Sequence, residues 1–238
     1  MTSNDTLNDL PSAADFARRL MPVGGVIHIG AGTGVGPLHQ WQKWRVPFSL
    51  LIEADPNRFA WALDSAESHP YQLAISAVMS DIEGEEAFFA ATNPAESGLI
   101  PAKLLQSIWP NLEVTETRNV PTRRLDTLLD ELECDISRQA NWVIIDCFPS
   151  LKILKGAGRY IEQWSVLQLR VILDGASADV SGSGLTELET FLAPFGYRCV
   201  AKAQSNHPAV GEALFIRDWP TWFISKLDQL TQDKVSLA

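Results

Sequence analysis

Four alternating glycines, at positions 30, 32, 34 and 36, follow a short apolar run, and a second apolar run ends in the acid Glu53. Glycine permits tight turns and a close approach of a ligand to the backbone. In α/β folds a strand, a glycine turn, a crossover helix and a second strand ending in an acid form a site where the carboxylate binds ribose hydroxyls. The pattern therefore predicts a nucleotide-like ligand at this turn. A tight turn that binds no ligand is the alternative.

The spacing of the glycines argues against a nicotinamide dinucleotide. Val35 and Pro37 stand where a G-x-G-x-x-G pattern would need glycine, so no phase of the run gives that fingerprint. An oxidoreductase is therefore the least favoured class.

Three further side chains are candidates for chemistry or cofactor contact. Asp146 ends the most apolar run of the chain, residues 141–147, and can accept or orient a substrate hydroxyl proton, or cap the next helix. His207 lies among turn-forming residues; it is a candidate general base or a solvated loop histidine. His28, two residues before Gly30, is a cofactor contact or a packed imidazole.

The polar stretch 93–98 predicts a surface loop between two elements. It is a candidate lid over the pocket, with Asn93 or Ser97 touching a ligand. An exposed turn is the alternative.

Strand-like and helix-like segments alternate along the chain, which predicts a mostly parallel sheet covered by helices on both faces. The last two strand-like runs predict an antiparallel hairpin at one edge. We expect residues 1–22 to form a polar tail and a short helix, 23–218 the main domain, and 219–238 a helical tail. The predicted strands are 26–29, 48–52, 71–78, 86–91, 119–124, 141–147, 167–173, 197–203 and 212–216, and the predicted helices are 11–21, 38–44, 56–68, 125–132, 151–164 and 185–193.

Bulk composition limits the partners. A net charge of −10 over 238 residues disfavours nucleic acid, whose phosphates need clustered basic residues. No apolar run approaches the length of a membrane span, and the first ten residues are too polar for a secretory signal. Three scattered cysteines indicate reduced thiols in the cytoplasm, and the four histidines show no metal-ligand spacing, so we expect no metal site.

The alternating glycines paired with Glu53 resemble S-adenosylmethionine-dependent methyltransferases of the Rossmann-like class, whose seventh strand is antiparallel. Ordered segments between about residues 24 and 217 narrow the resemblance to the FkbM methyltransferase family. They are Ile27–Gly32, Leu51–Pro56, Ala74–Ser76 with Gly84, Val120–Asp126, and Ile144–Cys147 with Leu154–Ala157.

The resemblance implies a class I methyltransferase fold with a seven-stranded sheet and S-adenosylmethionine as the cofactor. It places cofactor contacts at Gly30, Ala31, Gly32 and Gly34, and the ribose contact at Glu53. It also implies O-methyl transfer to a hydroxyl of a saccharide or another small acceptor.

Two departures from the family pattern favour a rival interpretation. His28 stands where an acid is common, and the segment from Asp146 to Leu151 lacks the family's Gly and Glu. The rival is a catalytically silent methyltransferase-like domain that binds a ligand or a protein partner.

Overall fold

A computed structural model of the chain describes residues 10–32, 37–69, 71–132, 139–173 and 180–224; for 37–40 only the backbone is described. Gly34 lies outside the described residues, so the prediction for it is not addressed by the structure. The same holds for the terminal segments 1–9 and 225–238.

Ten strands form two sheets in the described residues. They are β1 (Val26–Ile29), β2 (Ser49–Glu53), β3 (Gln72–Ser76), β4 (Val78–Ser80), β5 (Gly84–Ala91), β6 (Val114–Arg124), β7 (Trp142–Ile145), β8 (Val166–Ile172), β9 (Tyr197–Gln204) and β10 (Val210–Arg217). The helices are α1 (Leu10–Leu20), α2 (Pro56–Glu67), α3 (Ala102–Leu105), α4 (Leu125–Glu131), α5 (Ser150–Gly156) and α6 (Leu185–Leu192). Short 3-10 helices span Pro37–Trp44, Pro94–Glu96, Gly158–Glu162 and Ala193–Phe195, and residues 219–224 are helical.

The large sheet has seven strands in the order β3-β2-β1-β7-β8-β10-β9. The first five in that order run parallel, and β10 is antiparallel to both of its neighbours, β8 and β9. Strands β1 and β7 are buried along their whole length, as expected at the centre of a covered sheet, and their residues are apolar except for His28. The predicted class I methyltransferase fold, with its antiparallel edge hairpin, is confirmed.

Apolar clusters cover both faces of this sheet. One cluster joins the sheet to α4, α5 and α6 and contains the buried Trp164 and Phe215. The other joins it to α1 and α2 and contains Trp41 and Trp142. Helices therefore lie on both faces, as predicted. None of the helices in the described ranges is long and apolar enough to cross a membrane.

A small second sheet, in the order β4-β6-β5, was not predicted as a separate unit. The predicted single strand 71–78 is in fact divided: β3 pairs with β2, whereas β4 pairs with β6. Strand β6 also begins at Val114, earlier than the predicted residue 119. Its first residues are exposed and, apart from Val114, polar, so they carry no clear apolar signal.

Helix α5 holds the small sheet against the large one. A Cβ atom at Gly156 would lie 2.1 Å from the backbone oxygen of Ser80 in β4, so the helix can approach this closely only with glycine at that position. Lys152 of the same helix forms ion pairs with Glu86 and Asp81 of the small sheet.

The contact at Gly156 gives a stability prediction. Alanine is a better helix former than glycine by about 1 kcal/mol. Forcing a methyl group against a fixed backbone oxygen costs about 3 kcal/mol, the upper end for overpacking. We therefore expect Gly156→Ala to lower the free energy of unfolding by about 2 kcal/mol in urea denaturation.

Gly84 supplies the matched control, because no atom lies within 4 Å of the Cβ that alanine would add there. Gly84→Ala is expected to change stability by less than about 0.5 kcal/mol. Equal stability of the two variants would contradict the proposed close packing.

Candidate functional site

The glycine turn after β1 packs between the end of β2 and the end of β7. Gly30 and Gly32 have φ angles of +73° and +58°, which favour glycine. The amide of Gly30 donates to the carbonyl oxygen of Ile52 at 2.8 Å. A Cβ at Gly30 would lie 3.0 Å from the carbonyl oxygen of Asp146 and from the Cβ of Cys147. Gly30 is therefore also required by the packing of the turn against the end of β7.

Glu53 is 4% exposed and organises the ends of β1 and β2. Its Oε2 accepts a hydrogen bond from the amide of Gly32 at 2.6 Å, and its Oε1 accepts from the amides of Ala54 and Asp55 at 2.9 Å each. An ionised carboxylate has about four lone-pair positions, so these three bonds leave room for about one further donor. A ribose hydroxyl suits that position.

A narrow cleft opens beside Glu53 at the carboxyl ends of the central strands. Its walls are largely apolar, as the planar base of a nucleoside requires, and its polar side chains are Glu53, Arg58, Ser97 and the thiol of Cys147. The apolar part is formed by Ile29, Ile52, Ala77, Val78, Met79, Phe88, Leu99, Phe148 and Ile153. The donor and acceptor set thus fits an adenosine-type ligand.

Ala31 and His28 face away from this cleft. Ala31 is 2% exposed and packs in the apolar cluster with Trp41 and Leu51, so its side chain contributes to the core. His28 is fully buried, and its Nδ1 accepts a hydrogen bond from the indole of Trp41 at 3.2 Å. An accepting Nδ1 belongs to a neutral imidazole, so a protonated ring is disfavoured in this arrangement. The cofactor contacts predicted at both residues remain predictions.

Asp146 follows β7 on the same edge of the sheet, and its amide donates to the carbonyl oxygen of Ile29 at 2.8 Å. The residue is partly exposed, yet the surrounding protein removes much of its water, and this burial raises the pKa of its carboxyl group to about 7. The positive charge of Arg170 opposes the rise, and the negative charge of Glu212 adds to it. Asp146 is therefore poised to exchange a proton near neutral pH.

Arg170 and Glu212 form cross-strand partners on β8 and β10, beside Asp146. Burial also raises the pKa of Glu212, whose carboxylate accepts a long hydrogen bond of 3.4 Å from Gln168. Arg170 forms a buried ion pair with Glu96 at 2.6 Å. These side chains form a polar cluster on one face of the large sheet, near the carboxyl ends of its parallel strands.

The loop that carries Glu96 lies over this edge, where the predicted lid would lie. Besides the ion pair, Arg170 donates to the carbonyl oxygen of Ala95 at 3.4 Å. Asn93 accepts from the amide of Ala95, and Ser97 accepts from the amide of Ala91. Both polar side chains therefore hold the shape of the loop itself. Their predicted ligand contacts, and the role of the loop as a lid, remain predictions.

His207 lies in the loop between β9 and β10. Its Nδ1 accepts from the amide of Ala209 at 3.1 Å, and its ring centroid is 6.2 Å from that of Trp109. Trp109 in turn stacks with Arg170, whose guanidinium carbon lies 5.6 Å from the ring centroid. The structure thus places His207 at the rim of the polar cluster, and its catalytic role remains a prediction.

Several polar residues of the site were missed from the sequence: Arg58, Glu96, Gln168, Arg170 and Glu212. A signal existed for two of them. In β8, Gln168 and Arg170 alternate with Leu167, Leu169 and Val171, which belong to the main core. Two polar side chains at alternate positions of an otherwise buried strand indicate a polar site on the opposite sheet face.

Comparisons with known proteins give similar folds and no closer relationship. No protein-family model and no curated protein sequence matches this chain. A protein of the NADB-Rossmann superfamily from Streptococcus agalactiae has a TM-score of 0.46 and 11% identity, over 85% of this chain and 66% of that protein. Magnesium protoporphyrin IX methyltransferase (ChlM) from Synechocystis PCC 6803, with bound SAM, has a TM-score of 0.45 and 9% identity, over 90% and 78% of the two chains. TrmK of M. capricolum, in complex with S-adenosyl-homocysteine, has a TM-score of 0.42 and 10% identity, over 82% and 62%. TM-scores below 0.5 assign no activity to this chain.

The raised pKa of Asp146 gives a prediction for stability against pH. An acid whose pKa rises on folding binds more protons when folded, so the free energy of unfolding falls as the pH rises between the two pKa values, here from about 4 to about 7. Asp146→Asn removes this effect. We expect the stability of the variant relative to the wild type to increase by roughly 2 kcal/mol from about pH 5 to about pH 8.

The measurement compares the denaturation midpoints of the wild type and Asp146→Asn across this pH range. A difference that stays constant with pH would show that Asp146 titrates in the folded protein as it does in water.

Proposed function

We propose that this chain is an S-adenosylmethionine-dependent O-methyltransferase acting on a hydroxyl of a sugar or another small molecule. The observation that carries the proposal is the cleft between the glycine turn and Glu53, which lies at the same sheet edge as Asp146. The resemblance to the FkbM family, drawn from ordered sequence segments, is part of this proposal. The strand order supports a methyltransferase-like fold and does not distinguish one methyltransferase family from another.

Glu53 and the turn supply the cofactor half of the site. The remaining acceptor position of the Glu53 carboxylate suits a ribose hydroxyl, and the apolar walls of the cleft suit adenine and exclude water. When bound, the cofactor supplies a methyl group on a positively charged sulfur, which is a strong electrophile. The main task of the protein is therefore to align the acceptor oxygen with the methyl carbon, and activation of that oxygen is secondary.

Asp146 is the residue that we assign to the acceptor hydroxyl. With a pKa of about 7, its carboxyl group is close to half ionised at neutral pH and can accept the hydroxyl proton as the new bond to carbon forms. The neighbouring Arg170 and Glu212 set the charge around it, and the ion pair of Arg170 with Glu96 holds the covering loop above it.

A second candidate function, ligand binding without turnover, has its own supporting observation. All three backbone amides near Glu53 already donate to its carboxylate. The side chain of Arg58 also fills space beside Gly32. A site held together internally in this way can persist as structure after catalysis is lost.

Calorimetry with S-adenosylmethionine tests the binding half of the proposal. We expect the wild type to bind and Glu53→Ala to lose about tenfold to a hundredfold in affinity, because a hydrogen bond to a charged group contributes about 1.5–3 kcal/mol. Glu85→Ala, at an exposed position of β5, is the control and should bind like the wild type. No binding at about millimolar cofactor, the upper end of the KM values that enzymes show for their substrates, would contradict the enzyme proposal.

Turnover separates the two candidate functions. Formation of S-adenosylhomocysteine is measured with panels of saccharides and other hydroxylated small molecules. We expect Asp146→Asn to retain cofactor binding but to lower the rate about 100-fold, the lower range for losing a general base. Cofactor binding with no product from any acceptor would favour the silent binding domain.

A further inference from the structure

Arg58, in the first turn of α2, extends along the cofactor cleft to the glycine turn. Its guanidinium lies against Gly32, where a Cβ atom would be 2.1 Å from its Nη2. Its Nη1 donates to the carbonyl oxygen of Pro94 at 3.4 Å, in the loop that covers the site. Arg58 lines the same cleft as Gly30 and Glu53. The absence of a side chain at residue 32 thus makes room for this guanidinium.

Among the described residues, no carboxylate lies within 4 Å of the Arg58 guanidinium, whereas Arg170 of the same site is paired with Glu96. Glu53, the acid that lines the cleft with Arg58, accepts hydrogen bonds from the amides of Gly32, Ala54 and Asp55. A guanidinium has five N–H donors in a planar fork that matches a carboxylate. A partly buried fork with one long hydrogen bond is therefore suited to an anionic group brought by a ligand.

We propose that Arg58 binds the carboxylate of the amino-acid part of the cofactor, while Glu53 binds the ribose. This inference rests on the proposed function. The carboxylate is the anionic group of S-adenosylmethionine, whose sulfur and amino group are positive, so it is the part of the cofactor that attracts a guanidinium by charge. The position of Arg58 against Gly32 supports this pairing, because glycine lets a ligand come close to the main chain at the turn.

Two ligands that differ in the amino-acid part test the proposal by calorimetry. S-adenosylhomocysteine carries the carboxylate, and 5′-methylthioadenosine has the same adenosine thioether without the amino-acid part. We expect Arg58→Gln to weaken binding of S-adenosylhomocysteine about tenfold or more, the scale of a lost charge-assisted hydrogen bond, and to leave methylthioadenosine binding within about twofold of the wild type.

Two further variants complete the design. Arg58→Lys keeps the charge but loses the fork, so it should restore part of the affinity for S-adenosylhomocysteine. Arg19→Gln, at an exposed position of α1, should bind both ligands like the wild type. The melting temperature of each variant, measured without ligand, shows whether it is folded.

The remaining outcomes overturn the proposal, each in a distinct way. Equal losses for both ligands would mean that Arg58 only shapes the cleft. Tighter binding of S-adenosylhomocysteine by Arg58→Gln would mean that the arginine obstructs the site. An unchanged affinity of Arg58→Gln for S-adenosylhomocysteine would mean that Arg58 does not bind the cofactor carboxylate and that any anion it binds belongs to the acceptor. If the wild type binds neither ligand, the proposed function itself fails.

Discussion

The hydrogen bonds of the Glu53 carboxylate are the constraint on which the site depends. They join the turn after β1 to the segment between β2 and α2. Gly32, which donates to the carboxylate, lies 21 residues before Glu53 in the sequence. A buried carboxylate is costly unless donors surround it, and here three backbone amides do so. The same bonds satisfy amides that would otherwise lack partners at the edge of a sheet. One acid therefore ties the glycine turn to the segment before α2 and keeps room for about one further donor.

The two faces of the large sheet differ in polarity. One face mainly contributes apolar packing, and the other carries the polar side chains of the candidate site. One face packs against α4, α5 and α6 through an apolar cluster. On the other face, polar side chains interrupt the apolar cluster at the carboxyl edge, where Asp146, Arg170 and Glu212 lie together. Burying these groups reduces stability, as the raised pKa values of the two acids show. The ion pair of Arg170 with Glu96 offsets part of that cost and at the same time orders the loop above the site.

Much of the fold could be predicted from the sequence, because apolar runs of strand length alternate with helical segments. The glycine turn and the ends of β2 and β7 also marked Glu53 and Asp146. The second sheet could not be predicted: β6 is exposed and polar, and its pairing with β4 and β5 is a long-range contact. Arg58 and Glu96 were missed for a related reason. Their sequence neighbours are ordinary helix and loop residues, and only the folded chain brings them to the cleft.

The segments that suggested the FkbM family have two different physical roles here. Gly156 lets α5 approach β4, and Asp126 accepts hydrogen bonds from Arg124 and the amide of Thr127, so these segments fix the junction of the two sheets. Glu53, by contrast, lines the cleft. Packing requirements can preserve the first group whether or not the chain still catalyses a reaction. A likeness carried by junction residues therefore supports the architecture, and the case for methyl transfer depends on the groups that face the cleft.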